Sequence, residues 1–150
     1  MAAQILVLNG PNLNMLGTRE PEIYGRQTLD DVRSMCEQRG DALDLDIDFR
    51  QSNHEGELVE WIQQARGGAA GIVINPGGYS HTSVAIMDAL LLSELPVVEI
   101  HISNIFRRES FRRRSYVSNA ANGVITGFGT HGYVLALDAV ADIVARGSEG

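Results

Sequence analysis

The stretch AAGIVIN, residues 69–75, is apolar from its first residue until its final Asn. An unbroken run this short, rich in Ile and Val, reads as a strand covered on both faces, the mark of an interior strand in a parallel sheet. QILVL (4–8) is a second such run and ends in the turn signal Asn9-Gly10-Pro11. VVEIHIS (97–103) and GVITG (123–127) supply two more. Leu43, Leu45, Ile47 and Phe49 alternate with Asp44, Asp46 and Asp48, a period-two strand with one polar face. That acidic face suits an edge, where like charges oppose sheet-to-sheet pairing. Helical spacing fills the intervals. One helix is expected to start near Thr28, where Asp31 completes a capping-box-like spacing, and to end near Gly40. Others are expected over 55–66, with Leu58, Ile62 and Ala65 on one face, over 82–94 and over 133–146. The reading is five strands and five helices in strict alternation, which leaves the fifth helix to the interval between VVEIHIS and GVITG. Right-handed crossovers then place helices on both faces of a parallel sheet. At 150 residues this is a flavodoxin-like three-layer α/β fold in a single domain. Ligands in such folds bind outside the carboxyl ends of the strands, though the fold does not say which ligand.

Composition narrows the chemistry. All twelve basic residues are Arg and none is Lys. A lysine Schiff base, a pyridoxal-phosphate lysine, a Walker-type lysine and a kinase lysine are excluded together. One cysteine, Cys36, excludes an internal disulfide framework and a Cys-rich zinc site. There is also no H-x-H or H-E-x-x-H pattern, so no metal is expected. A net charge of −7 argues against general nucleic-acid binding. No apolar run approaches the ~18–20 residues of a membrane span. The opening MAAQILVLNGPN has no basic leader and reads as a strand start, so the expected compartment is the cytoplasm. The residues 147–150 are expected to fray.

Polar residues gather at the predicted binding edge from three strands at once. Asn9, Asn12 and Asn14 follow the first strand, Asn75 through Ser83 follow the third, and Glu99, His101 and Ser103 close the fourth. Glu99-x-His101-x-Ser103 has strand period, so the three side chains leave on one face, with same-face Cα atoms ~6.6 Å apart. A carboxylate beside His fixes its tautomer and favours imidazolium, a general acid. The same pattern also fits a structural ion pair, and the convergence of three strands favours chemistry. Residues 12–26, punctuated by Gly17, Pro21 and Gly25, form a long loop without a clean period, of the kind that acts as a lid. Arg19 and Tyr24 lie in it. Only ~0.1% of a free Tyr is phenolate at pH 7, and a nearby Arg stabilises that form, giving a lysine-free base. A loop tyrosine packed on the body is the plain alternative. His81 precedes a helix with Thr82 and Ser83 as possible caps, a place for an anionic or hydroxyl-rich ligand or simply a capping loop. FRRESFRRR (106–114) packs five Arg into nine residues, a solvated or subunit-contact face from which one Arg can still reach an anion. His54 and His131 are weaker candidates.

Taken in order, LNGPNLNMLGTREPEIYG (8–25), QSNHEGELVEWI (51–62), NPGGYSHTSVAIMDAL (75–90), VVEIHISN (97–104), FRRRSYVS (111–118) and GVITGFGTHGYVLAL (123–137) resemble type II 3-dehydroquinate dehydratase over nearly the whole chain. The resemblance implies a hydro-lyase of the shikimate pathway. It would convert 3-dehydroquinate to 3-dehydroshikimate by anti elimination through an enolate, without metal or cofactor. It also implies a homododecamer of four trimers. By that likeness Tyr24 is the base, Arg19 lowers its pKa, and Asn12 holds a water that stabilises the enolate. His101 protonates the departing hydroxyl and Glu99 orients it. Asn75 with Ile102 and Ser103 grips the substrate carboxylate, His81 and Arg112 bind ring hydroxyls, and Asp88 reaches a neighbouring subunit's site. Gly78 stands where the family often has Ala, and Arg108 and Arg113 are uncommon company for Arg112.

Other occupants of the fold fit less well. A receiver-type signalling domain needs an acidic pocket after strand one and a Lys after strand five. A flavin carrier needs a Ser/Thr-rich phosphate loop where this chain has NGPNLN, and a serine hydrolase needs G-x-S-x-G. A dehydratase acting on another hydroxy-ketone stays open on the acid-base residues alone.

Overall fold

The computed structural model describes residues 2–18, 22 and 26–149. Its five strands are β1 (Ala3–Asn9), β2 (Leu45–Gln51), β3 (Gly71–Asn75), β4 (Val97–His101) and β5 (Gly123–Thr126). Every pairing is parallel and the order is β2-β1-β3-β4-β5. The acidic-faced strand, β2, lies at an edge as its alternation requires.

Four α-helices flank the sheet among the described residues: α1 (Leu29–Leu43), α2 (Glu55–Ala65), α3 (Val84–Ser93) and α4 (His131–Glu149). Strand period two sorts their partners. Ile5 and Val7 of β1, Val73 and Val98 pack against Val32 and Cys36 of α1 and Tyr133, Leu137 and Val140 of α4. Leu6, Leu8, Ile72 and Ile74 face the other way, onto Leu58 and Ile62 of α2 and Ile86 and Leu90 of α3. The interior strands are therefore buried on both faces, which is why AAGIVIN has no polar interruption.

Apart from shifts of one to three residues at other element ends, the structure departs from the sequence reading in three places. The first helix runs to Leu43, and Asp44 closes it in the left-handed region at φ 57°. Gly40 is not its stop. It lies inside the helix, where an added Cβ would come within 2.6 Å of Ile47 Cγ1, so glycine is there to let α1 sit close on β2. The capping box at the other end forms, with Thr28 N–H donating to Asp31 Oδ2 and Asp31 N–H to Thr28 Oγ1. Next, strict alternation fails between β4 and β5. That crossover holds no α-helix, only three short 3-10 turns over Ile105–Arg107, Ser110–Arg112 and Val117–Asn119. Phe106 and Phe111 stand five residues apart and both are exposed, so the Arg-rich segment has no apolar stripe for a helix to bury. Finally, β4 stops at His101, not at residue 103, which puts Ser103 in a bend beyond the strand.

Candidate active site

Register aligns the polar ends. Asn9 pairs with Gln51 on one side and Asn75 on the other, so three amides share one row at the carboxyl edge. Gly10 follows Asn9 and donates its N–H to Asn75 O at 2.8 Å. A Cβ there would stand 2.3 Å from Pro76 O, so only glycine lets the ends of β1 and β3 meet this closely.

Glu99 and His101 share the face of β4 that looks toward the turn over Gly77–His81. Glu99 is wholly buried and His101 is 5% exposed. A carboxylate without water needs donors, and this one has four. Ser118 Oγ donates to Oε1 at 2.6 Å and Ser115 Oγ to Oε2 at 2.7 Å. Ser80 Oγ lies 3.2 Å from Oε2 and also touches Ser115 Oγ. His101 Nε2 completes the set on Oε2. Burial is the largest single influence on this carboxyl and opposes its charge. Hydrogen bonds from His101, Ser118 and Ser115, with the attraction of the imidazole, outweigh it and hold the group below the ordinary glutamate range. Since an ionised carboxylate only accepts, Nε2 is a donor and Nδ1 is the ring nitrogen turned to other work.

A second buried cluster is neutral. Gly77 N–H donates to Asn75 Oδ1 at 3.2 Å, and Asn75 Nδ2 donates to Tyr133 Oη at 2.9 Å. Tyr133 donates to Asn9 Oδ1 at 2.7 Å, and Asn9 Nδ2 donates to Arg50 O at 3.1 Å. A backbone N–H can only donate and a carbonyl only accept, so the two ends set the direction of every bond between them. Burial pushes the Tyr133 phenol well above its usual range, and its hydrogen stays in place.

The remaining residues singled out from the sequence do not all gather at the Glu99–His101 pair. His81 stacks on His101, ring centroids 6.5 Å apart, and its Nδ1 donates to Arg114 O at 2.8 Å. With Ser80 O accepting from Tyr116 N–H, this bolts the turn after β3 to the β4–β5 crossover. Asn12 is exposed and left-handed at φ 70°, its N–H held by Asn53 Oδ1 at 2.9 Å. Ile102 is buried in the core and Ser103 is half-buried. Arg108, not Arg112, is the arginine that reaches the Ser103 hydroxyl, at 3.3 Å; Arg112 Nε pairs with Glu109 at 2.8 Å. Ser83, not Thr82, caps α3, accepting from Ile86 N–H at 2.9 Å. Asp88 stands apart on the exposed side of α3. Arg19 and Tyr24 lie outside the described residues. Gly78, which replaces an expected Ala, has open space where a Cβ would go.

Sequence reasoning missed Ser80, Ser115, Ser118 and Tyr133. The serines sit 19, 16 and 19 residues from Glu99, with no local period to connect them. The one available signal was Ser-x-x-Ser at 115–118 within a segment otherwise crowded with Arg. Among the described residues, no three His, Cys, Asp or Glu side chains converge as metal ligands would.

The chain is similar to known proteins over nearly its whole length. The family model described as Dehydroquinase class II matches residues 3–141. The chain is 63% identical over 143 residues to the 3-dehydroquinate dehydratase of Phenylobacterium zucineum, covering 95% of this chain and 99% of that one. It is 60% identical over 144 residues to 3-dehydroquinate dehydratase 2 of Pseudomonas putida, covering 96% and 97%. The crystal structure of type II dehydroquinase from Propionibacterium acnes superposes with a TM-score of 0.91 at 48% identity, over 95% of this chain and 98% of that one.

Proposed function

This chain belongs to the class II dehydroquinase family, and from that premise we propose how its residues remove water from 3-dehydroquinate to give 3-dehydroshikimate. The observation that carries the reading is the buried Glu99–His101 pair at the carboxyl end of β4, with Glu99 held ionised. Tyr24, its phenolate stabilised by Arg19, takes the proton beside the ketone and leaves an enolate. Asn12 holds a water against the enolate oxygen. His101 then protonates the departing hydroxyl from Nδ1, since Nε2 keeps its hydrogen against Glu99. Asn75, with the backbone of Ile102 and Ser103, binds the substrate carboxylate, while His81 and Arg112 bind ring hydroxyls. His81 Nδ1 is committed to Arg114 O, so its Nε2 faces the hydroxyl.

Asp88 serves the site of a neighbouring copy in a dodecamer of four trimers. Val84, Asp88, Leu91 and Leu92 follow the i, i+4, i+7, i+8 spacing of one helix stripe, and Leu91 and Leu92 are 53% and 64% exposed. An apolar stripe around a carboxylate suits a subunit contact. Light scattering of the purified chain should return a mass near twelve protomers, and a monomer would end this part of the reading. No helix among the described residues is long and apolar enough to cross a membrane. The Cys36 thiol, pushed up to about 12 by burial and by Glu37, is an inert core group in keeping with a reducing cytoplasm.

The deciding experiment mixes protein with 3-dehydroquinate in the presence of chelator and follows enone absorbance, with Tyr24→Phe alongside. A rise with the parent protein and none with the variant is expected. A folded parent that gives no rise would move the substrate to another β-hydroxy ketone.

A further inference from the structure

We propose that Ser80, Ser115 and Ser118 are positioning residues of the reaction, a hydroxyl cradle that holds the Glu99 carboxylate in place as the permanent counter-ion of the proton-donating His101. Their arrangement goes beyond what stability asks. A buried glutamate can be avoided by an apolar residue, often with a gain in stability, so four donors around one carboxylate point to a need for the charge itself. The three hydroxyls come from two separate elements, the turn after β3 and the β4–β5 crossover. Both carboxylate oxygens are engaged, Oε1 by Ser118 and Oε2 by Ser115, Ser80 and His101. With both oxygens tied, the carboxylate is held in rotation as well as position, and the imidazole it anchors points one way.

The cradle also joins parts of the site. Ser80 adjoins His81, and Ser115 follows the arginine run that contains Arg112. A shift of the crossover therefore reaches the acid through the same carboxylate that receives its hydroxyls. The titratable groups facing Glu99 among the described residues are His101 on its own strand and, behind that ring, His81 on the turn. The turn and the crossover otherwise present only the serine hydroxyls.

The inference rests on the reading of His101 as proton donor, and parent turnover is the control for that reading. The variants are Ser118→Ala, which empties Oε1, and Ser118→Thr, which keeps the hydroxyl. Ser118→Ala is expected to lower kcat about tenfold, the size of one hydrogen bond to a charged group, with KM nearly unchanged. Its acidic limb of kcat should move to higher pH, because a carboxylate with fewer donors takes up a proton more readily. Ser118→Thr should restore both. Retained kcat and an unmoved limb in Ser118→Ala, with only thermal stability lost, would overturn the proposal, as would a raised KM at constant kcat. Ser115→Ala carries the same readouts should Ser118→Ala not fold. A parent protein without turnover would instead sink the functional reading on which this one stands.

Discussion

Two buried polar clusters lie at the carboxyl edge of the sheet, one on each of its faces, and they solve burial in different ways. Around Glu99 the structure surrounds one charge with donors from two elements beside its own strand. Around Tyr133 it runs a single file of neutral bonds from Gly77 to Arg50, each side chain between those ends giving once and taking once. A charge in low dielectric is expensive and must be over-solvated by protein groups, whereas a neutral file needs only correct direction. The charged cluster sits where a proton has to move. The neutral one holds Asn75 still at the end of β3.

That contrast predicts an order of costs. Glu99→Ala should lose the most, about 3–5 kcal/mol of stability, because it breaks a buried ion pair and strands its donors. Chemical denaturation would measure this, and a loss no larger than that of Tyr133→Phe would erase the distinction between the clusters. Tyr133→Phe should cost about 1–3 kcal/mol, since Asn75 Nδ2 and Asn9 Oδ1 lose their shared partner. At this chain length each kcal/mol is about 2–4 °C of Tm, so calorimetry resolves it.

The smallest and most discriminating test is pH. Glu99 titrates lower folded than unfolded, so its contribution is complete above the unfolded glutamate pKa of about 4.3 and drains away as pH falls through the folded value. Tyr133 is shifted the opposite way. Its contribution is complete below the unfolded tyrosine pKa of about 10 and is lost as pH rises toward the folded value. Each slope is at most about 1.4 kcal/mol per pH unit. Denaturation midpoints across pH should show Glu99→Gln flattening the acid side alone and Tyr133→Phe the alkaline side alone. Both variants flattening the same side would show one coupled cluster, not two.

Much of this was legible beforehand, for identifiable reasons. The interior strands announced themselves because both their faces are apolar, and the edge strand because one of its faces is acidic. Glu99 and His101 could be placed together because strand period puts alternate residues on one face. Gly40 misled because a glycine reads locally as a helix stop, while its actual reason, the approach of Ile47, comes from a strand. Ser103 was placed on β4 by extending the same period past the point where the ladder ends. The serine cradle and the Tyr133 file were invisible because they are assembled by tertiary contact between segments with no common spacing. The clustered arginines gave a site residue by resemblance, but only the fold distinguishes Arg108, on Ser103, from Arg112, on Glu109.

The bond from Tyr133 to Asn9 spans 124 residues and ties the last helix to the first strand. Its consequence is temporal. During synthesis Asn9 emerges 124 residues ahead of Tyr133, so Asn9 Oδ1 and Asn75 Nδ2 keep water as their partner until α4 docks. Loop closure over that distance is a late and entropically costly step in folding. A ribosome-bound chain stopped just before residue 133 would hold all five strands and still lack the phenol that links Asn9 to Asn75. For this protein, docking of α4 and completion of the binding edge are the same event.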